Sequence, residues 1–192
     1  MEIYQGSEAE AHWQELRERL QRGEVAVFPT DTIYGFTVDA RNHQAVEKVL
    51  ALKQRRTPVS CIPHSVKWLR GLVADPFRAL FDSKLEEYRG RYTMLWPTAR
   101  GEQILHPLVQ TGSLIGVRRP DHWILKFAEW SGIPLTTTSV NRTGQAPMRS
   151  LETLDPELQH GIDFMVDEGL LENPPSTLVR CDSPEFSQQE RV

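Results

Sequence analysis

The sequence predicts an α/β (α+β) fold: one domain over residues 1–192, with a twisted mixed parallel/antiparallel sheet flanked by helices. Three observations carry this expectation. Short apolar runs of strand length alternate with amphipathic stretches of helical period. Several connections between runs are too short for a crossover helix, which argues against a purely parallel sheet. No internal repeat or low-complexity linker divides the 192 residues, a length suited to one sizeable core.

The elements follow in order. Residues 7–22 read as an amphipathic helix, with Ser7 as N-cap and Glu10 at capping-box spacing. Ala11, Trp13, Leu16 and Leu20 form its stripe, and Gly23 ends it. Residues 25–29 are an apolar strand running into a Pro-Thr-Asp-Thr turn. A second helix spans 43–53, opened by Asn42, with Val46, Val49 and Leu50 on one face. A strand at 59–62, helices at 65–72 and 77–88, and strands at 92–96 and 113–118 come next. Residues 121–131 read as a helix capped by Asp121 and stopped by Gly132. Residues 133–139 are strand-like and enter the turn Asn141-Arg142-Thr143-Gly144. Strands at 164–167 and 177–180 complete the set.

Composition narrows the function classes. No stretch reaches the ~18 apolar residues of a membrane span. The first residues lack the basic flank and apolar run of a secretory signal, so a cytoplasmic protein is expected. Cys61 and Cys181 lie far apart in no metal-ligand pattern, which points to buried thiols and no metal site. Net charge is −4, so the whole surface does not attract nucleic acid. Basic residues nevertheless gather inside the chain, at Lys53 to Arg56, Lys67 to Arg70, Arg89 to Arg91 and Arg118-Arg119. That bias suits an anionic ligand such as a polyphosphate, and equally suits a solvated surface.

Five segments carry chemistry. Pro29-Thr30-Asp31-Thr32-Ile33-Tyr34-Gly35 delivers two hydroxyls, a carboxylate and a phenol to a loop at a strand end, where open α/β sheets bind ligands. The alternative is a turn whose hydroxyls satisfy only local backbone. Lys53-Gln54-Arg55 closes a helix, where cations complement the dipole or clamp phosphates. Thr136-Thr137-Thr138-Ser139-Val140-Asn141 places a dense hydrogen-bonding edge before a Gly turn. Arg118 ends a strand before Pro120-Asp121, and Pro175-Ser176-Thr177 feeds a late one.

Together, in this order and spacing, the segments resemble the YrdC/TsaC family of threonylcarbamoyl-AMP synthases, over roughly residues 20–191. Lys53-x-Arg55 with Ser139-x-Asn141 matches the family's strongest signature, and the 29–35 loop, Arg118-Arg119-Pro120-Asp121-His122 and Ser176-Thr177-Leu178-Val179 match its other motifs. The resemblance implies condensation of L-threonine, bicarbonate or CO2 and ATP into threonylcarbamoyl-AMP and pyrophosphate. The product would feed a downstream tRNA threonylcarbamoyl-transferase complex. It implies ATP-binding residues Lys53, Arg55, Ser139, Asn141 and Arg191, and threonine-binding residues Thr32, His64, Arg118, Thr137 and Ser176. Mg2+ would arrive with ATP, held mainly by phosphates and water. No protein nucleophile is needed, so positioning and electrostatics should supply the catalysis.

The chain departs from the family in a short spacer after Arg55, in His64 following Pro63, and in Arg89-Gly90-Arg91-Tyr92-Thr93, where the family carries Pro-Gly-Pro-x-Thr. It is also expected to lack the further C-terminal domain of longer members. Three alternatives stand beside the synthase: a tRNA or double-stranded-RNA binding module of the same fold, a YciO-like paralogue without synthase activity, and a carbamoyltransfer domain like those of hydrogenase-maturation proteins.

Overall fold

Successive side chains along a strand point to opposite faces of a sheet, and the central strands here divide the apolar residues accordingly. In the computed structural model, which describes residues 1–54, 58–99, 105–107, 109–111, 113–183 and 185–190, Val27 joins one buried cluster while Ala26 and Phe28 join another. The strands are β1 (Glu2–Gln5), β2 (Ala26–Phe28), β3 (Gly35–Thr37), β4 (Ser60–Ile62), β5 (Tyr92–Pro97), β6 (Gln110–Thr111), β7 (Leu114–Arg118), β8 (Leu135–Ser139), β9 (Phe164–Asp167), β10 (Thr177–Arg180) and β11 (Ser187–Gln189). They form one sheet in the order β1-β9-β2-β3-β8-β4-β7-β5-β10-β11, with β6 paired to β7. The sheet is mixed as expected. The pairs β1/β9, β2/β9, β4/β7 and β5/β10 are parallel, and the others are antiparallel.

The helices are α1 (Trp13–Gln21), α2 (His43–Leu52), α3 (Val66–Leu72), α4 (Arg78–Lys84), α5 (Trp123–Ser131) and α6 (Pro156–Gln159). One face of the sheet is covered by α2, α3, α4 and α6, whose Val46, Leu69, Phe81 and Leu158 pack with Val27, Cys61, Met94, Val117 and Val179. The other face is only half covered. There Leu16 and Leu20 of α1 and Ile124 and Phe127 of α5 pack on strands β1, β9, β2, β8 and β4. Strands β7, β5 and β10 give nothing to that second cluster, so this half of the face is left for polar side chains.

Adjacent strands rotate by about 20–25°, so the four steps from β2 to β7 turn the strand direction by roughly a right angle. The loop leaving β2 therefore meets the end of β7, although the two strands are not neighbours.

Two helix starts differ from expectation. Residues 6–12 form a 3₁₀ helix and the α-helix begins only at Trp13, with no side-chain bond from its N-cap His12. The reason is β1, which had not been anticipated: it pairs with β9, and the chain turns directly at Gly6 out of that strand. At α5 the cap is His122, whose ring nitrogen accepts from Ile124 N, while Asp121 is engaged elsewhere through its backbone. Gly132 does end this helix, at φ 68°, the left-handed conformation glycine favours there. Asn42 caps α2 as expected, accepting from Ala45 N.

Candidate active site

The 29–35 loop first satisfies itself. Thr30 Oγ1 accepts from Thr32 N at 3.1 Å and donates to Ile33 O at 2.7 Å, the local turn that small hydroxyls favour. The Thr32 hydroxyl lies 3.0 Å from Thr30 Oγ1 within the loop and also meets the end of β7. Arg118, at the end of β7, donates from Nη2 to Thr32 Oγ1 at 2.6 Å and to Asp31 Oδ1, and from Nη1 to Thr30 Oγ1 at 3.3 Å. Asp31 Oδ2 accepts from Asp121 N at 2.9 Å, and the Asp31 carbonyl accepts from Asn173 Nδ2 at 2.9 Å. Asp31 thus joins its loop to two distant segments, 118–121 and Asn173, at one carboxylate and one carbonyl.

Arg118 is almost wholly buried, and its Nε has no hydrogen-bond partner among the described residues. Burial pushes its guanidinium below the ordinary value, while Asp31 pulls in the opposite direction. The fork expected to hold a ligand carboxylate is therefore partly occupied by the chain's own Asp31.

Gly35 opens β3 opposite Ser139 of β8. A Cβ at this position would lie 2.8 Å from Thr137 Oγ1, so the glycine permits a close approach of the two strands. Tyr34 turns to the far side. Its hydroxyl accepts from Glu168 N at 2.9 Å and lies 2.9 Å from Asp167 Oδ1 and 2.8 Å from Gly169 O, tying the loop to the end of β9. Burial pushes this phenol well above its ordinary range.

At the end of β8, Lys53 and the Ser139-x-Asn141 pair form one cluster. The Lys53 ammonium donates to Ser139 O at 2.5 Å, Asn141 Oδ1 at 3.0 Å and Asn141 O at 3.2 Å. Ser139 Oγ donates to Asn141 Oδ1 at 2.6 Å, and Asn141 Nδ2 donates to Gln145 O at 2.7 Å. Gln54, next to Lys53, has φ 52°, a left-handed conformation that turns the chain out of α2.

These pieces enclose a cleft of about 120 Å3, lined by Thr32, Gly35, Ser60, Arg118, Thr137, Ser139, Asn141, Gln145, Pro147, Pro175 and Ser176 among others. That is below the roughly 300–1,000 Å3 of a drug-sized pocket. The enclosed part is of a size for a small polar molecule.

Of the ten residues expected from sequence, six line this cleft: Thr32, Arg118, Thr137, Ser139, Asn141 and Ser176. Lys53 adjoins it through Ser139 and Asn141. Arg55 and Arg191 lie outside the described residues. His64 is not among the residues that line the cleft: it follows β4 by two residues, and its ring packs on Trp68 with centroids 4.8 Å apart. Trp68 belongs to the core on the opposite face of the sheet. Burial, then the nearby Arg41, lowers the His64 pKa. Sequence reasoning gave no role to Ser60, whose Oγ donates to Thr137 O at 2.8 Å. Its only signal was a hydroxyl inside an apolar strand.

A family model, Sua5/yciO/yrdC, described as telomere recombination, matches residues 18–189. The threonylcarbamoyl-AMP synthase of Haemophilus influenzae (strain 86-028NP) is 30% identical over 158 residues, 80% of this chain and 84% of that protein. A crystal structure of P. abyssi Sua5 complexed with L-threonine is similar at TM-score 0.80 and 22% identity, covering 93% of this chain and 53% of that one. The present chain thus spans about half the length of that Sua5. E. coli YciO is similar at TM-score 0.71 and 20% identity, covering 94% of this chain and 89% of YciO. With a family model over most of its length and a relative of this identity, the chain belongs to the Sua5/YciO/YrdC family.

Proposed function

We propose that the protein is an L-threonylcarbamoyladenylate synthase, condensing L-threonine, bicarbonate or CO2, and ATP into threonylcarbamoyl-AMP and pyrophosphate. The observation that carries the proposal is one cleft in which Arg118, Thr32, Thr137 and Ser176 stand beside the Ser139-x-Asn141 turn. In this reading the threonine carboxylate lies against Arg118, and the hydroxyls of Thr32, Thr137 and Ser176 read the amine, hydroxyl and carbamate. The neutral amine attacks the carbon of CO2 and loses a proton to give a carbamate. A carbamate oxygen then attacks the α-phosphorus, and pyrophosphate leaves with the electron pair of the broken P–O bond.

Both partners in the second step are anions, so the site must offset their repulsion. Ser139 and Asn141 would fix the nucleotide, with Lys53 holding their turn at the phosphates and Arg55 and Arg191 adding positive charge. Among the described residues no group of three or more His, Cys, Asp or Glu is placed to hold a metal ion. Mg2+ would enter with ATP, ligated by phosphates and water. The product would pass to a tRNA threonylcarbamoyl-transferase complex in the cytoplasm. Among the described residues no helix is long and apolar enough to cross a membrane.

The test incubates folded protein with ATP, Mg2+, labelled bicarbonate and each amino acid in turn. Threonine-dependent pyrophosphate and a labelled adenylate are expected. Their absence would sink the synthase reading and leave a YciO-like or RNA-binding protein, the latter recognised by a steep salt dependence of RNA affinity. Lys53→Ala and Arg55→Ala should each slow nucleotide turnover without unfolding the domain.

A further inference from the structure

Thr93 is the last residue of the segment that stands where the family carries Pro-Gly-Pro-x-Thr, and the reading above gives it no role. On β5 it lies directly across from Arg118 of β7 and beside Leu178 of β10. Cross-strand neighbours of this kind have Cβ atoms about 4.5–5.5 Å apart. The next residue, Met94, faces the opposite core, so Thr93 points to the half of the sheet that carries the cleft. Thr93 is 1% exposed, and its Oγ1 lies 2.8 Å from Ser176 Oγ. Strand propensity accounts for a threonine here. It does not account for a buried hydroxyl beneath Arg118 and bonded to Ser176.

Two facing hydroxyls share one hydrogen bond, and its direction decides what Ser176 offers the cleft. When Ser176 donates to Thr93, the cleft meets only oxygen lone pairs, which repel an anion. When Thr93 donates to Ser176, the Ser176 proton is released to point into the cleft. The Arg118 guanidinium, which lines the same cleft as Ser176, favours an anionic group at this end, which selects the second arrangement. Ser176 itself is held by Thr177 N donating to Arg91 O at 2.9 Å, so its backbone does not need Thr93 for placement.

We infer that Thr93 is a positioning residue for the amino-acid half of the site: it donates to Ser176, sets Ser176 as a donor, and so selects a carboxylate or carbamate oxygen at that place. The inference rests on the synthase reading and assigns one further residue to it. Thr93→Val removes the hydroxyl at nearly constant shape. It should raise both the Kd for L-threonine, measured by calorimetry, and the KM for L-threonine in pyrophosphate release by roughly 10- to 150-fold, the weight of one hydrogen bond to a charged group. The KM for ATP should stay within about twofold, since the effect is confined to one hydrogen bond in the amino-acid half. Thr93→Ser should restore threonine binding to within about threefold, because a hydroxyl donor is retained.

The double variant Thr93→Val/Ser176→Ala should bind threonine no worse than Ser176→Ala alone, because Thr93 acts only through Ser176. Thr93→Ala is measured in parallel, so that a poorly folding valine variant still leaves a result. An active wild type with threonine affinity unmoved in both Thr93→Val and Thr93→Ala, or effects of Thr93 and Ser176 that multiply, would overturn the role of Thr93 alone. A wild type that binds L-threonine yet releases no pyrophosphate would instead overturn the synthase reading, and the Kd comparison would still decide on Thr93.

Discussion

Asp31→Ala removes the charge that joins the loop after β2 to the end of β7. The side chain of Arg118 is 5% exposed and that of Asp31 is 12% exposed, so the variant leaves a guanidinium buried with nothing opposing it. Breaking one partner of such a pair costs ~3–5 kcal/mol. The Asp121 N–H that also loses its acceptor is at an exposed junction and can turn to water, adding little. For a domain of this length each kcal/mol lowers the melting temperature by about 2–4 °C, so a fall of roughly 6–20 °C is expected. Asp31→Asn keeps one of the two acceptor oxygens, enough for the Arg118 donor, and should lose less. The decisive comparison is a double-mutant cycle with Arg118→Met, followed by urea unfolding at 25 °C. With both partners gone no buried charge is stranded, and the double variant should be more stable than Asp31→Ala. A loss below about 1 kcal/mol in Asp31→Ala, or a double variant as unstable as the sum of the singles, would refute a charge-held junction.

Three other outcomes follow from single positions. Gly35→Ala places a Cβ 2.8 Å from Thr137 Oγ1; overpacking of this kind costs ~1–3 kcal/mol in urea unfolding, and threonine affinity should fall with it. Gln54 sits at φ 52°, so Gln54→Gly should stabilise by up to ~1 kcal/mol while Gln54→Val loses at least as much; equal stability of the two would contradict the strained turn. Burial raises the Glu168 pKa, but hydrogen bonds from His122 and Trp123 outweigh it and hold the carboxyl below its ordinary value. Its contribution is therefore full above the unfolded-state pKa near ~4.3 and is lost as pH falls through the folded value. Glu168→Gln should flatten the acid side of the stability curve and leave the neutral side's slope alone, as read by melting temperature against pH.

Much of the fold was legible because its elements carry strong local signals. The Asn42 cap, the Gly132 stop and the alternating apolar residues of β5 and β7 fix their elements without help from the rest of the chain. What escaped was decided by pairing. Glu2–Gln5 buries only Tyr4 and becomes a strand because β9 lies alongside it. Gly35–Thr37 is three residues long and directly follows the motif loop, with no turn signal of its own. The site divides in the same way. Thr32, Thr137, Ser139, Asn141, Arg118 and Ser176 were marked by residue type at strand ends. The Asp31–Arg118 contact links positions 87 apart and arises from accumulated twist, which no short window of sequence contains. The resemblance implies His64, whereas the structure lines the cleft with Ser60 of β4 and packs the His64 ring on Trp68.

The half-covered face has a mechanical consequence. The cleft lies where two arms of one sheet meet, and the ties from Asp31 to Arg118 and Asn173 fix its width together with sheet twist. A ligand lodged between Thr32 and Ser176 would act as a strut between the arms and oppose untwisting. Its binding energy, about 2.7 kcal/mol at a concentration a hundredfold above Kd, would then be distributed into both cores. Slowed amide exchange should consequently reach strands such as β9 and β5 that the ligand never touches.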